Sequence, residues 1–185
     1  MLTYKNILLG QNESIIPAFN WLFKEENIDT IIEIGTNRGG LALWLSDNTK
    51  DNVKIYSYDI THEYLLIKGN DRMELILGDC FDDNIKINII SKINNSKQVI
   101  LLCDGGDKNR EFNTYAPFIR KNDIIMLHDY CLDTKLFDTL IKNGLWTTPL
   151  ESDYPSIKQS IINNNLVAIK EDLFNSCLWG CYKKK

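Results

Sequence analysis

The sequence predicts an α/β fold, a mostly parallel seven-stranded sheet with an antiparallel C-terminal strand and helices on both faces. Three observations carry this. Short β-branched and aliphatic runs alternate with stretches whose apolar residues recur at helical spacing, the order that right-handed strand–helix–strand units require. The first strand-like run, Thr30 to Ile34, opens directly into a glycine-rich turn. The last two runs, residues 166–169 and 177–182, are separated by a polar turn too short for a helical crossover, so they are expected to pair antiparallel.

Taken in order, Ile15, Phe19, Leu22 and Phe23 recur at helical spacing after Ser14, which predicts a helix over residues 14–24 with Ser14 as its N-cap. Strand 30–34 and its glycine turn lead into a helix announced by Leu41, Leu43, Trp44 and Leu45. Strands over 53–58 and 75–77, a helix over 85–93, a strand over 99–102, a helix over 110–119, a strand over 124–127 and a helix over 135–142 follow. Residues 143–155 are polar, aromatic and turn-rich and read as a loop, a candidate lid carrying Trp146 and Tyr154. The 185 residues fit a single domain, with residues 1–29 as an N-terminal helical segment.

Composition excludes several function classes. A formal charge of −4 and a pI near 5.2 supply no general attraction to nucleic acid or to an anionic membrane, which need clustered Lys and Arg. Lys183, Lys184 and Lys185 read as a solvated tail. No run approaches the roughly 18–20 apolar residues that span a bilayer, and the N-terminus lacks the order of a signal peptide, so a soluble, cytoplasmic protein is expected. Cys80, Cys103, Cys131, Cys177 and Cys181 fit neither a zinc spacing nor a Cys-x-x-Cys pair and read as thiols.

Ligands of an open α/β sheet gather beyond the carboxyl ends of its strands, and the chemistry-bearing residues fall there. Glu33-Ile34-Gly35-Thr36-Asn37-Arg38-Gly39-Gly40 follows the first strand and opens a helix, whose N-terminus offers backbone N–H groups. A dinucleotide loop would begin with glycine where this chain has Glu33. A carboxylate suits the amino group of a zwitterionic moiety better than a phosphate. Asp59 ends the second strand, placed to accept from two ribose hydroxyls. Gly78-Asp79-Cys80 ends the third, where a carboxylate could accept from an adenine amino group. Each has a plainer alternative, a tight packing turn for the glycines and a loop or helix-cap carboxylate for the aspartates.

Asp104 and Asp129 end the fourth and fifth strands. Neighbouring parallel strands would bring these like charges together, which a shared proton or a cation must relieve. Mg²⁺ commonly takes one or two carboxylates plus substrate oxygen, so Asp104 and Asp129 are metal candidates. The alternative is two loop carboxylates without an ion. His128 could be a third ligand or a general base, although strand alternation would turn it away from Asp129.

This set of residues resembles the class I S-adenosylmethionine-dependent methyltransferases. More narrowly, Ile32 to Gly40, then Cys103-Asp104-Gly105-Gly106, then Ile125-Met126-Leu127-His128-Asp129-Tyr130 resembles the cephalosporin hydroxylase-like and rhamnosyl O-methyltransferase group and related small-molecule O-methyltransferases. The resemblance implies a Rossmann-like methyltransferase fold and a cofactor held by Glu33, Gly35, Thr36, Asn37, Gly39, Asp59, Asp79, Cys80 and Asp104. It also implies O-methylation of a small-molecule or sugar hydroxyl with divalent-cation assistance. Relatives often carry histidine in the Asp-Gly-x-His run where this chain has Asp107, followed by Lys108. Asp107, Lys108 and His128 are therefore the catalytic candidates, and a cofactor-binding protein without turnover is the alternative. So short a chain leaves little room for a substrate domain. Either the acceptor is small or exposed, or a second subunit of a homo-oligomer completes the pocket.

Overall fold

The structure is a computed structural model, and it describes residues 2–132, 134–144 and 150–185. Seven strands build one sheet: β1 (Thr30–Ile34), β2 (Lys54–Asp59), β3 (Met73–Leu77), β4 (Val99–Cys103), β5 (Ile124–Leu127), β6 (Leu166–Ala168) and β7 (Gly180–Lys184). Their spatial order is β3-β2-β1-β4-β5-β7-β6. Strands β1 to β5 pair in parallel, and β7 alone runs against its neighbours β5 and β6. This is the expected architecture, and it places the reversal of strand order between β1 and β4.

The helices are α1 (Ile15–Glu25), α2 (Gly40–Asn48), α3 (Asp83–Asn95), α4 (Lys108–Tyr115), α5 (Thr134–Lys142), α6 (Tyr154–Asn163) and α7 (Glu171–Asn175). Every residue of β1, β4 and β5 is buried, because helices cover both faces and strand side chains alternate between them. Ile31, Ile100, Leu102, Ile124 and Met126 meet Phe19 of α1, Leu45 of α2 and Phe174 of α7. Their neighbours Ile32, Leu101, Cys103, Ile125 and Leu127 meet Ile89 of α3, Phe112 of α4 and Ile157 of α6. Phe19 anchors the first face edge-on to Phe23, Trp44, Phe174 and Trp179, with ring centroids 5.8–6.4 Å apart.

Several local expectations are corrected. A two-residue ladder, Thr3–Tyr4 against Ile7–Leu8, precedes α1, so the N-terminal segment is not helical throughout. Ser14 caps nothing; its own N–H is taken by Asn12 Oδ1 at 2.9 Å, an Asx turn that starts the helix instead. Residues 143–155 do not form one loop. Ser152–Asp153 pairs with Tyr130–Cys131, and α6 begins at Tyr154. Asp153 Oδ1 accepts the Ser156 N–H at 2.8 Å and Pro155 sits in the first turn, so the residues that read as a turn are a helix start. Tyr154, the first residue of α6, packs against the core, while Trp146 lies outside the described residues. The short helix α7 occupies the polar turn before β7, which starts later than expected and draws Lys183 onto Glu26 at 2.7 Å rather than leaving it in a solvated tail. Among the described residues, no helix is long and apolar enough to cross a membrane.

Candidate functional site

Buried and half-buried acids at the two ends of the sheet are treated differently. At the amino ends they are closed by fixed donors: Asp29 accepts the N–H groups of Lys97 and Gln98, and Asp123 accepts the Val99 N–H and pairs with Arg120. At the carboxyl ends, Glu33, Asp59, Asp79, Asp104 and Asp129 surround two adjoining cavities of about 440 and 310 Å³ that share Gly35, Asn37 and Asp104 as a common wall. A wider, more open depression of about 680 Å³ lies at the opposite end, between Lys54 and Met73, away from these groups.

The glycine loop is shaped by backbone crowding where strand order reverses. Gly35 has φ +101°, and a Cβ on it would lie 2.2 Å from the Asp104 carbonyl oxygen, so only glycine lets the β1 turn lie against the end of β4. A Cβ on Gly40 would meet the Leu8 carbonyl oxygen at 2.1 Å, which fixes the N-terminal segment over the start of α2. Gly39, with φ +83°, faces Ile67 and lines neither cavity, so its part is to turn the loop. Glu33 is buried and accepts from the Ser57 hydroxyl, which is 2.6 Å from the Thr36 hydroxyl. Burial pushes the Glu33 carboxyl up to about 8, against the Ser57 hydrogen bond and with the charges of Asp104 and Asp59.

Asp59 and Asp79 line the larger cavity together with Cys80 and Phe81. Asp59 accepts the Asn37 N–H at 2.7 Å and the Thr61 N–H at 3.1 Å, bonds that hold its carboxylate while each oxygen keeps a second lone pair. Asp79 accepts the Phe81 N–H at 2.8 Å. Burial raises the Cys80 thiol to about 12, so it is a neutral wall group rather than a nucleophile.

The smaller cavity holds the charged cluster. His128 Nδ1 is 2.9 Å from Asp104 Oδ1 and 3.6 Å from Asp129 Oδ2. The two neighbours share a site because β5 ends at Leu127 and Asp129 adopts φ +50°, which replaces strand alternation by a sharp turn. Lys108, on the first turn of α4, is buried; its ammonium lies 3.2 Å from Asp129 and 3.9 Å from Asp104, donates to the Gly105 carbonyl at 3.1 Å and pairs with Glu151. Burial opposes its charge, but Asp104, Glu151 and Asp129 raise its pKa overall. The same contest raises His128, with burial outweighed by Asp104 and Asp129.

Asp107 is not part of this cluster. It is exposed on the wall of the larger cavity and N-caps α4, its Oδ1 accepting the Arg110 N–H at 3.1 Å. Several functional neighbours escaped sequence reasoning. Gln11 donates from Nε2 to Asp104 Oδ2 at 2.9 Å and accepts from Trp179 Nε1–H at 2.9 Å, which fixes its amide orientation. Glu111 accepts the N–H groups of Gly105 and Asp107, both at 3.2 Å, and steadies the loop after β4. An acidic residue one turn into a helix is a usable signal for such a reach-back bond. Gln11 offers no such signal, because its partners are distant in sequence.

No protein-family model and no curated protein matches the chain. Solved structures do. An apo structure of CmcI superposes with a TM-score of 0.71 at 15% identity, over 99% of this chain and 76% of that one. CmcI described as Mg-SAM gives 0.70 at 13%, over 100% and 76%. MycE methyltransferase from the mycinamycin biosynthetic pathway, in complex with Mg, SAH and mycinamycin VI, gives 0.58 at 18%, over 91% of this chain but 48% of that one. The chain has the class I methyltransferase fold. In that fold the carboxyl ends of β1 and β4 flank the switch point, which is where this chain gathers Glu33, Gly35 and Asp104.

Proposed function

We propose that the chain is an S-adenosylmethionine-dependent O-methyltransferase of small molecules. One observation carries this: the acids ending β1, β2 and β3 line a cavity system that runs, past Asp104, into the Asp104–His128–Asp129 cluster. A cofactor-sized cleft and a hydroxyl-activating site thus share one wall.

Glu33 would take the cofactor's amino group, the Gly35–Asn37 turn its amino-acid backbone, Asp59 its ribose hydroxyls, and Asp79 with Cys80 its adenine edge. The bound cofactor supplies an electrophilic methyl group on a sulfonium. One CmcI structure is described as Mg-SAM and the MycE complex contains Mg, and the donor set here fits a divalent cation. Asp104, His128 and Asp129 each offer one ligand atom, all within 4.8 Å of one another. A bound cation supplies the charge that lowers the pKa of an acceptor hydroxyl. Lys108, held cationic beside the same carboxylates, stabilises negative charge growing on that oxygen. Glu151, half exposed at the rim, is placed to pass the proton to solvent.

The polar character of the smaller cavity favours a hydroxylated small molecule or sugar, and the described residues add no large substrate domain. The buried thiols of Cys80, Cys103, Cys177 and Cys181 fit a reducing, cytoplasmic compartment. The test is turnover. A panel of sugars and polyols should yield S-adenosylhomocysteine with at least one acceptor, and Asp104→Asn should lower the rate roughly a hundredfold or more, the scale of losing a pre-aligned charged group. Cofactor binding without turnover of any acceptor would leave only a binding protein.

A further inference from the structure

Resting on that reading, we infer that the cation site is built for a transition-metal dication bound through the His128 imidazole, and that it discriminates against Mg²⁺. Mg²⁺ prefers oxygen ligands and retained waters, whereas imidazole nitrogen suits Mn²⁺, Co²⁺ and their neighbours. Here one of the three convergent donors is nitrogen.

The arrangement is preset rather than incidental. His128 is buried, and its ring stacks on Trp179 with centroids 4.8 Å apart and planes 27° from parallel. The same indole donates from Nε1 to Gln11 Oε1, which leaves Gln11 Nε2 to hold Asp104 Oδ2. One tryptophan thus sets both the imidazole plane and the carboxylate rotamer, with His128 Nδ1 hydrogen-bonded to Asp104 Oδ1 at 2.9 Å and 3.5 Å from Gln11 Nε2. Ligands in adjacent positions on one ion, with bonds of about 2.1 Å at right angles, lie about 3 Å apart. The separation matches, so an ion that takes both replaces the Nδ1–Asp104 hydrogen bond, and the proton in it, without moving either side chain far.

Lys108 sharpens the choice. Its ammonium, 3.2 Å from Asp129, already neutralises part of the negative charge on which a hard cation depends. Mg²⁺ gains little beyond charge attraction. A transition ion also gains its bond to the imidazole, which Lys108 does not weaken directly.

The test is titration calorimetry of the tag-free chain with Mg²⁺ and with Co²⁺. Co²⁺ should bind roughly a hundredfold or more tighter, and His128→Asp should cut that ratio at least about tenfold, the scale on which ligand and outer-shell changes act. Because His128 is buried, Mn²⁺ spin-echo spectra of the wild-type chain give a second readout independent of the variant's folding, modulation from a directly bound imidazole nitrogen. The chain has two histidines, so the signal should persist in His62→Gln. Equal affinity for the two ions, or no nitrogen modulation, would overturn the inference while leaving a cation site in place. Failure of every ion to bind would overturn it together with the cation part of the proposed function, and S-adenosylhomocysteine binding would show whether the cofactor part survives.

Discussion

Glu33 concentrates the chemistry of the proposed cofactor site in one carboxyl. Its pKa, lifted to about 8 from an ordinary 4.5, means the folded chain keeps a proton there that the unfolded chain releases. A raised folded pKa gives stability that is fully present below about 4.5 and is lost as pH rises through about 8. Thermal unfolding of Glu33→Gln should therefore show a flatter decline between those limits, with stability at pH 8.5 equal to or above wild type. Binding should move the other way. An ammonium brought to Glu33 favours its ionised form, so S-adenosylhomocysteine should bind with proton release near neutral pH, seen as a buffer-dependent heat, and Glu33→Gln should weaken binding at least about tenfold. Equal affinity in both proteins would remove Glu33 from the site. Gln11 is a contrasting residue, since its role is to orient Asp104. Gln11→Leu leaves the buried Trp179 Nε1–H without its acceptor and takes one donor from half-buried Asp104, and should cost about 1–3 kcal/mol in denaturant unfolding.

At the scale of elements, the strand–turn–helix units were legible because β1, β4 and β5 are covered on both faces and so read as unbroken apolar runs. The acids ending them were legible for the same reason, each following such a run. The N-terminal ladder, α6 and α7 were not. They are short or begin with Asp and Pro, residues equally at home in turns, and tertiary packing decides between the two. Gln11 and Glu151 were invisible because their charged partners lie 93 and 43 positions away. Two expectations separate structural from chemical parts. Gly35→Ala must force the β1 turn off the Asp104 carbonyl and should cost about 1–3 kcal/mol while abolishing cofactor binding. Asp107→Ala removes the α4 cap and one carboxylate from the rim of the larger cavity; it should cost about 1 kcal/mol by thermal or denaturant unfolding and leave turnover within a few-fold, whereas Lys108→Met should remove most of it. A large turnover loss in Asp107→Ala would return that residue to the catalytic set.

Across the whole molecule, one sheet divides the labour. Its amino ends close their acids on backbone and arginine donors, while its carboxyl ends spend theirs on two connected cavities. The central claim is that those cavities hold S-adenosylmethionine at Glu33 and Asp59, beside the Asp104 cluster. Titration calorimetry with S-adenosylhomocysteine tests it most directly. The account predicts one site per chain, weakened at least about tenfold by Asp59→Ala, which removes the carboxylate proposed to accept from two ribose hydroxyls. Absence of binding, or affinity unchanged in Asp59→Ala and Glu33→Gln alike, would contradict it.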